Sequence, residues 1–111
     1  MSDSLVPMPA IASPRPDVPA SLQSFLSFDF GARRTGVAAG NRVLGTATPL
    51  RTIVAEGKDD RLAQAEAQVR EWQPDGLVVG VPFHPDGAPH ENTARARKFG
   101  RQLAERCRLP V

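Results

Sequence analysis

Apolar and polar positions along the chain change their period several times, and each change predicts an element. Phe25-Leu26-Ser27-Phe28-Asp29-Phe30 is a short, mostly apolar run closed by Gly31, which predicts a strand. Thr35-Gly36-Val37-Ala38-Ala39-Gly40 predicts a second strand. Asn41-Arg42 supplies the turn into a third, running from Val43 to Ile53. Thr46, Thr48 and Thr52 fall at even spacing there, as on the exposed face of an antiparallel strand. Asp59 and Asp60 then open a helix, where acidic side chains suit the positive N-terminus. Leu62, Ala65, Val69 and Trp72 follow as one apolar stripe, and Gln73-Pro74 stops the helix. Leu77-Val78-Val79-Gly80-Val81 is a continuous apolar run, the pattern of a strand covered on both faces, and Pro82 ends it. After a loop from Phe83 to Pro89, a second helix starts at Asn92 or Thr93 and ends at Arg108. Ala96, Phe99, Leu103 and Cys107 form its buried side, and Leu109-Pro110-Val111 then approaches a further strand.

Residues 1 to 24 have no such period. Pro7, Pro9, Pro14, Pro16 and Pro19 fall there among serines, a composition that predicts an extended or disordered tail. The first basic residue is Arg15, and Pro7 and Pro9 interrupt any apolar core, so the segment is not read as a secretory signal. The domain is therefore expected over residues 25–111. A chain of 111 residues allows one small domain. No stretch reaches the ~20 apolar residues that span a bilayer, so no membrane partner is expected. The lone cysteine, Cys107, excludes an intramolecular disulfide framework or a Cys-rich zinc site and suits a reduced, cytoplasmic setting. A net charge of +2 permits contact with nucleic acid without requiring it.

Three stations carry candidate chemistry. Asp29-Phe30-Gly31 places a carboxylate at the C-terminal end of a strand, where α/β sheets commonly hold their sites. Asp29 alternates with Phe28 and Phe30, so it faces away from them; a plain turn-capping aspartate is the alternative. The loop holding Asp86-Gly87 would approach Asp29 if its strand pairs in parallel, whereas His84 and His90 match no closed metal-ligand set. The second helix is basic. Arg97, Arg101 and Arg108 cluster on one edge of its apolar stripe, and Arg95, Lys98 and Arg106 on the other. Such clustering suits a phosphate backbone, or is simply a solvated face. Arg33 and Arg34 add cations beside Asp29.

Asp29-Phe30-Gly31 followed, after four intervening residues, by Gly36-Val37-Ala38 resembles the opening motif of the YqgF family. Trp72-Gln73-Pro74-Asp75, Val79-Gly80-Val81-Pro82, Asp86-Gly87 and Thr93-Ala94-Arg95-Ala96-Arg97-Lys98-Phe99 follow in the family's order. That family comprises Holliday-junction-resolvase-like nucleases of bacteria associated with maturing pre-16S rRNA. The resemblance covers about Ser24 to Val111. It implies an RNase H-like α/β fold, in which an antiparallel three-strand meander is followed by helix-linked parallel strands. It further implies metal-dependent phosphodiester hydrolysis in 5′-end processing of small-subunit rRNA, with Mg2+ or Mn2+ as cofactor and structured nucleic acid as partner. Asp29 matches the family's first-strand metal ligand. Arg33, Arg34, Arg95, Arg97, Lys98 and Arg101 are then the nucleic-acid-binding candidates.

The resemblance also implies a second acidic motif, Asp-Glu-Arg, beyond the strand that Val111 would begin, and a third acid on a final helix. The 111 residues contain neither, so the final strand and helix are expected to be missing and the chain as written to be weak in catalysis. Two divalent ions ~4 Å apart must be bridged by several carboxylates to activate water and stabilise the leaving oxygen. The rival readings are a non-catalytic RNA- or DNA-binding module of the same fold and a Holliday-junction resolvase. An actin-like ATPase also opens with Asp-x-Gly after a first strand, but it needs a second, duplicated domain.

Overall fold

The structure is a computed structural model that describes residues 21–111; the tail expected over residues 1–24 lies mostly outside the described residues. At its near end the chain is already engaged, because Leu22 packs against Phe25. Strand β1 spans Ser24–Asp29, β2 Arg34–Asn41, β3 Thr46–Pro49 and β4 Ile53–Val54. Helix α1 spans Lys58–Trp72, β5 Gly76–Gly80, and α2 Thr93–Cys107.

β1 is the central strand. It pairs antiparallel with β2, Asp29 opposite Gly36, and parallel with β5, Asp29 opposite Gly80. The sheet order is β3-β2-β1-β5, with β4 paired to the other end of β2. The predicted third strand is therefore two strands. The turn between β2 and β3 is longer than Asn41-Arg42, and the Asn41 side-chain oxygen holds it by accepting from Val43 and Leu44 N–H. Beyond β3 the Leu50 N–H still donates to the Val37 carbonyl, and pairing with β2 then breaks and resumes at Ile53 in a register shifted by one residue; Thr46 and Thr48 lie in β3, whereas Thr52 falls in the break.

Both helices pack on one face. Leu26, Phe28 and Phe30 meet Leu62, Ala65 and Val69 of α1 and Ala96, Phe99 and Leu103 of α2 in a single core. Phe99 stands edge-on to Phe28 at 5.7 Å and tilted against Phe30 at 5.6 Å, a geometry that favours aromatic rings beyond their area burial. The other face carries only a small cluster around Phe25, with Ala38, Ala47 and Val78. This corrects the expectation for β5: Leu77 is buried, but Val78 is only half-buried and Gly80 is exposed, because no helix among the described residues covers that face. Trp72, expected on the buried stripe of α1, is 46% exposed. At 100° per residue it sits roughly 80° around the helix from Leu62, at the margin of the stripe. Cys107 is half-buried, and burial pushes its thiol pKa up, with the nearby Glu66 carboxylate adding to the effect.

The Trp72-Gln73-Pro74-Asp75 segment closes the crossover between α1 and β5. Gln73 adopts the left-handed conformation (φ 46°) and its N–H caps the helix by donating to the Val69 carbonyl. Asp75 then clamps the start of β1: its Oδ2 accepts from Gln23 N–H at 2.9 Å and Ser24 N–H at 3.1 Å. Its own N–H reaches the Ser24 carbonyl. Those two backbone N–H groups hold the Asp75 carboxyl below its ordinary value of 3.8. A depressed carboxyl pKa contributes stability that is complete above the unfolded value and lost as pH falls through the folded one. Asp75→Asn is therefore expected to lower the urea midpoint at pH 7, and the gap from the unaltered chain should close as the pH drops below about 3.8. A gap that stays constant with pH would exclude the charged clamp.

Candidate functional site

Asp29 is the last residue of β1, and strand alternation places it with Phe25 and Ser27 on the face opposite α1 and α2. Its side chain is exposed and forms no hydrogen bond or ion pair among the described residues. Both strand neighbours are glycines. A Cβ on Gly80 would stand 3.6 Å from Asp29 Oδ1, and one on Gly36 would stand 3.6 Å from Asp29 Cβ. Two absent side chains thus leave the carboxylate open on both flanks, above a floor of small residues that includes Ser27 and Ala38. The expectation that Asp29 faces away from Phe28 and Phe30 agrees with this geometry.

The turn after Asp29 is tightly defined. A Cβ on Gly31 would collide with the Arg34 carbonyl oxygen, so only glycine fits this close approach. The hydroxyl of buried Thr35 donates to the Gly31 carbonyl at 3.2 Å and cross-braces the turn. Ala55 N–H donates to the Arg33 carbonyl and ties the same turn to the end of β4.

The cations expected around Asp29 divide between two faces. Arg34 is exposed at the start of β2, two residues before Gly36, so alternation puts it on the face of Asp29 at the same end of the sheet. Arg33 is exposed in the turn. The helix α2 cations lie elsewhere, because α2 packs on the opposite face. Arg95 and Lys98 line a groove between α1 and α2. Arg97 stacks over the Phe83 ring, 5.5 Å from its centroid, and Arg101 is exposed. The two edges foreseen for α2 are real: one faces α1, where Arg106 also meets Glu66 at 3.2 Å, and the other carries Arg97.

The loop after β5 is built on Thr93. The buried Thr93 hydroxyl donates to the Pro82 carbonyl and accepts from His90 N–H, fixing the start of α2 to the end of β5. Asp86 spends one oxygen on its own turn, accepting from Ala88 N–H at 2.9 Å. The His84 and His90 rings stand 5.0 Å apart, and His90 Nδ1 accepts from Asn92 N–H.

Among the described residues no three of His, Cys, Asp and Glu are grouped to hold a metal. What is present is one unshielded carboxylate with room on both sides. That donor suits a hard divalent cation that fills its remaining positions with water or substrate oxygens, and it does not suit a closed zinc site. Sequence reasoning missed the glycine flanks of Asp29, although both lie inside motifs it had singled out. It also missed Arg61, which falls four residues before Ala65 and hence within the apolar stripe, a position that signals a constrained arginine.

A mixed sheet with an acidic residue ending its central strand, covered on one face by two helices, defines an RNase H-like α/β domain. The chain belongs to the RuvX family, described as Holliday junction resolvase, whose profile matches residues 23–111. A protein of Albidiferax ferrireducens named "Putative pre-16S rRNA nuclease" is 64% identical over 94 residues, covering 85% of this chain and 60% of its own length. The chain thus spans about three fifths of that relative. Among solved structures, Thermus thermophilus RuvC superimposes with a TM-score of 0.53 at 15% identity, covering 79% of this chain and 61% of RuvC. A Bacteroides thetaiotaomicron protein with an actin-like ATPase fold and unknown function gives 0.54 at 8% identity, over 79% of this chain and 31% of its own. At these identities both likenesses concern the fold alone.

Gly31→Ala is expected to destabilise the domain by about 1–3 kcal/mol, because the backbone must move away from the added methyl. Urea unfolding checks this; an unchanged midpoint would mean that the turn is looser than described.

Proposed function

We propose that this domain supplies the first metal ligand and part of the polynucleotide grip of a nuclease that hydrolyses phosphodiester bonds in precursor 16S rRNA, in the cytoplasm. The observation that carries the reading is Asp29, exposed at the end of the central strand between two glycines, in a chain of the RuvX family. Mg2+ or Mn2+ bound there would supply charge neutralisation of a phosphate oxygen and a more acidic water. The chain's own residues orient and attract. Gly31 and Thr35 fix where the carboxylate emerges, and the open glycine flanks admit a bulky phosphate beside it. Arg34 and Arg33 provide positive charge at the same end of the sheet, in keeping with phosphate contacts that position a strand without reading its sequence.

One carboxylate does not bridge two ions, and among the described residues no three of His, Cys, Asp and Glu are grouped to hold a metal. This favours binding over cleavage for the 111 residues by themselves. The chain is expected to bind single-stranded RNA with steep salt dependence and to show no metal-dependent cleavage. The enzymatic role is tested by joining residues 1–111 to the remaining C-terminal portion of the Albidiferax ferrireducens relative. The joined protein should cleave 5′-extended 16S rRNA with Mg2+ or Mn2+, and Asp29→Asn should reduce the rate by about a hundredfold or more, since even partners behind a metal ligand are worth 10–100-fold. Equal cleavage with and without Asp29 would overturn the assignment. Competition between the rRNA precursor and a four-way DNA junction separates the two substrate readings.

A further inference from the structure

A guanidinium buried without a counter-charge is costly, because the interior replaces its water with nothing of opposite sign. Arg61 of α1 is in this position. It is 8% exposed, one of its nitrogens donates to the Ala32 carbonyl, and its guanidinium carbon lies 4.9 Å from the Phe30 ring centroid. No carboxylate pairs with it among the described residues. A carbonyl and a ring face hold the group in place but leave its charge uncompensated.

Arg61 lines a groove of about 430 Å³ between the first turns of α1 and the first half of α2. Lys58, Arg95 and Lys98 line it too, all exposed, against the single carboxylate of Glu56, which forms no ion pair with any of them. The floor is Phe30, Leu62 and Phe99 of the core. Four cations therefore converge on one concavity while their nearest acidic residues leave them unpaired. Asp59 and Asp60 stand beside Lys58 in sequence but do not line the groove. The concavity belongs to the helical face, whereas Asp29 belongs to the open one. Ala32 joins them: three residues along the chain from Asp29, it lies within roughly 11 Å of it.

We infer that this groove is a phosphoryl-anion site, with Arg61 as its fixed donor and Lys58, Arg95 and Lys98 as its rim. The ligand is either a backbone phosphate of a polynucleotide that turns over the Gly31–Arg34 end of the sheet or a free phosphorylated small molecule. In its polynucleotide form the inference rests on the nucleic-acid reading above, and it places a second contact a few nucleotides from the phosphate at Asp29. The groove fits such a group because a phosphate accepts from several donors at once, and a preset arginine loses little freedom on binding it.

The test uses the 111-residue chain and two probes, a fluorescent single-stranded RNA 12-mer followed by anisotropy and inorganic pyrophosphate followed by calorimetry. The double variant Lys58→Ala/Lys98→Ala changes only exposed positions, and Arg70→Ala, exposed on α1 outside the groove, is the control. Loss of RNA affinity by about tenfold or more in the double variant, with a salt slope shallower by about one to two, supports the groove as a backbone contact. Loss of pyrophosphate binding with RNA affinity unchanged supports it as a small-molecule site. If neither probe responds to the double variant beyond the control, the inference is overturned. RNA binding that depends on Arg34 but not on the groove leaves the nucleic-acid reading standing while this inference falls. Pyrophosphate held by the groove in a chain that binds no RNA has the opposite meaning.

Discussion

The candidate site depends on β1 being paired along both edges and, among the described residues, covered by helices on only one face. Pairing to β2 and β5 removes the freedom of the strand that ends in Asp29, and the alternation of side chains does the rest. Phe28 goes into the core against Phe99, so Asp29 must come out on the other side. A single-residue slip of register would bury the carboxylate and expose two phenylalanines, which makes the arrangement strongly self-enforcing. The glycines opposite Asp29 complete the effect. Any other residue at either position would begin to roof the carboxylate.

Several motif residues act as clamps rather than as chemistry. Asp75 fastens the start of β1 to the start of β5, and Thr93 fastens the end of β5 to the start of α2. Between them they fix both ends of the parallel β1–β5 pair, the pair on which Asp29 and Gly80 meet. The two faces of the sheet then carry different electrostatics. The open face presents a carboxylate with Arg34 nearby, and the helical face gathers unpaired cations at the mouth of the α1–α2 groove. A polyanion reaching Asp29 meets positive charge at the same end of the sheet from both sides, which raises its local concentration.

Much of the fold was legible because it is encoded locally. The period of two in β1 and β2 and the three-and-four spacing of Leu62, Ala65 and Val69, and of Ala96, Phe99 and Leu103, are direct records of which side meets the core. The break between β3 and β4 was missed because the alternating threonines on either side suggested continuity, and a one-residue shift of register leaves no mark in that pattern. The double covering expected of β5 failed for another reason: an apolar run records what a strand can tolerate, not what lies above it. At the site, the orientation of Asp29 was readable from Phe28 and Phe30. The separation of the α2 cations from Asp29 was not, because a helical wheel shows which residues share an edge and says nothing of which face of the sheet the helix occupies.

The central claim is that the Asp29 carboxylate stands open on the sheet face opposite the two helices, ready to take a divalent cation. Crystals of the chain soaked in MnCl2 and measured at the manganese absorption edge test it most directly. The account predicts an anomalous peak about 2.0–2.3 Å from an Asp29 carboxylate oxygen, over the small residues of the open face and absent in Asp29→Asn. A manganese peak held by other acidic residues, with Asp29 bare at the same concentration, would contradict it.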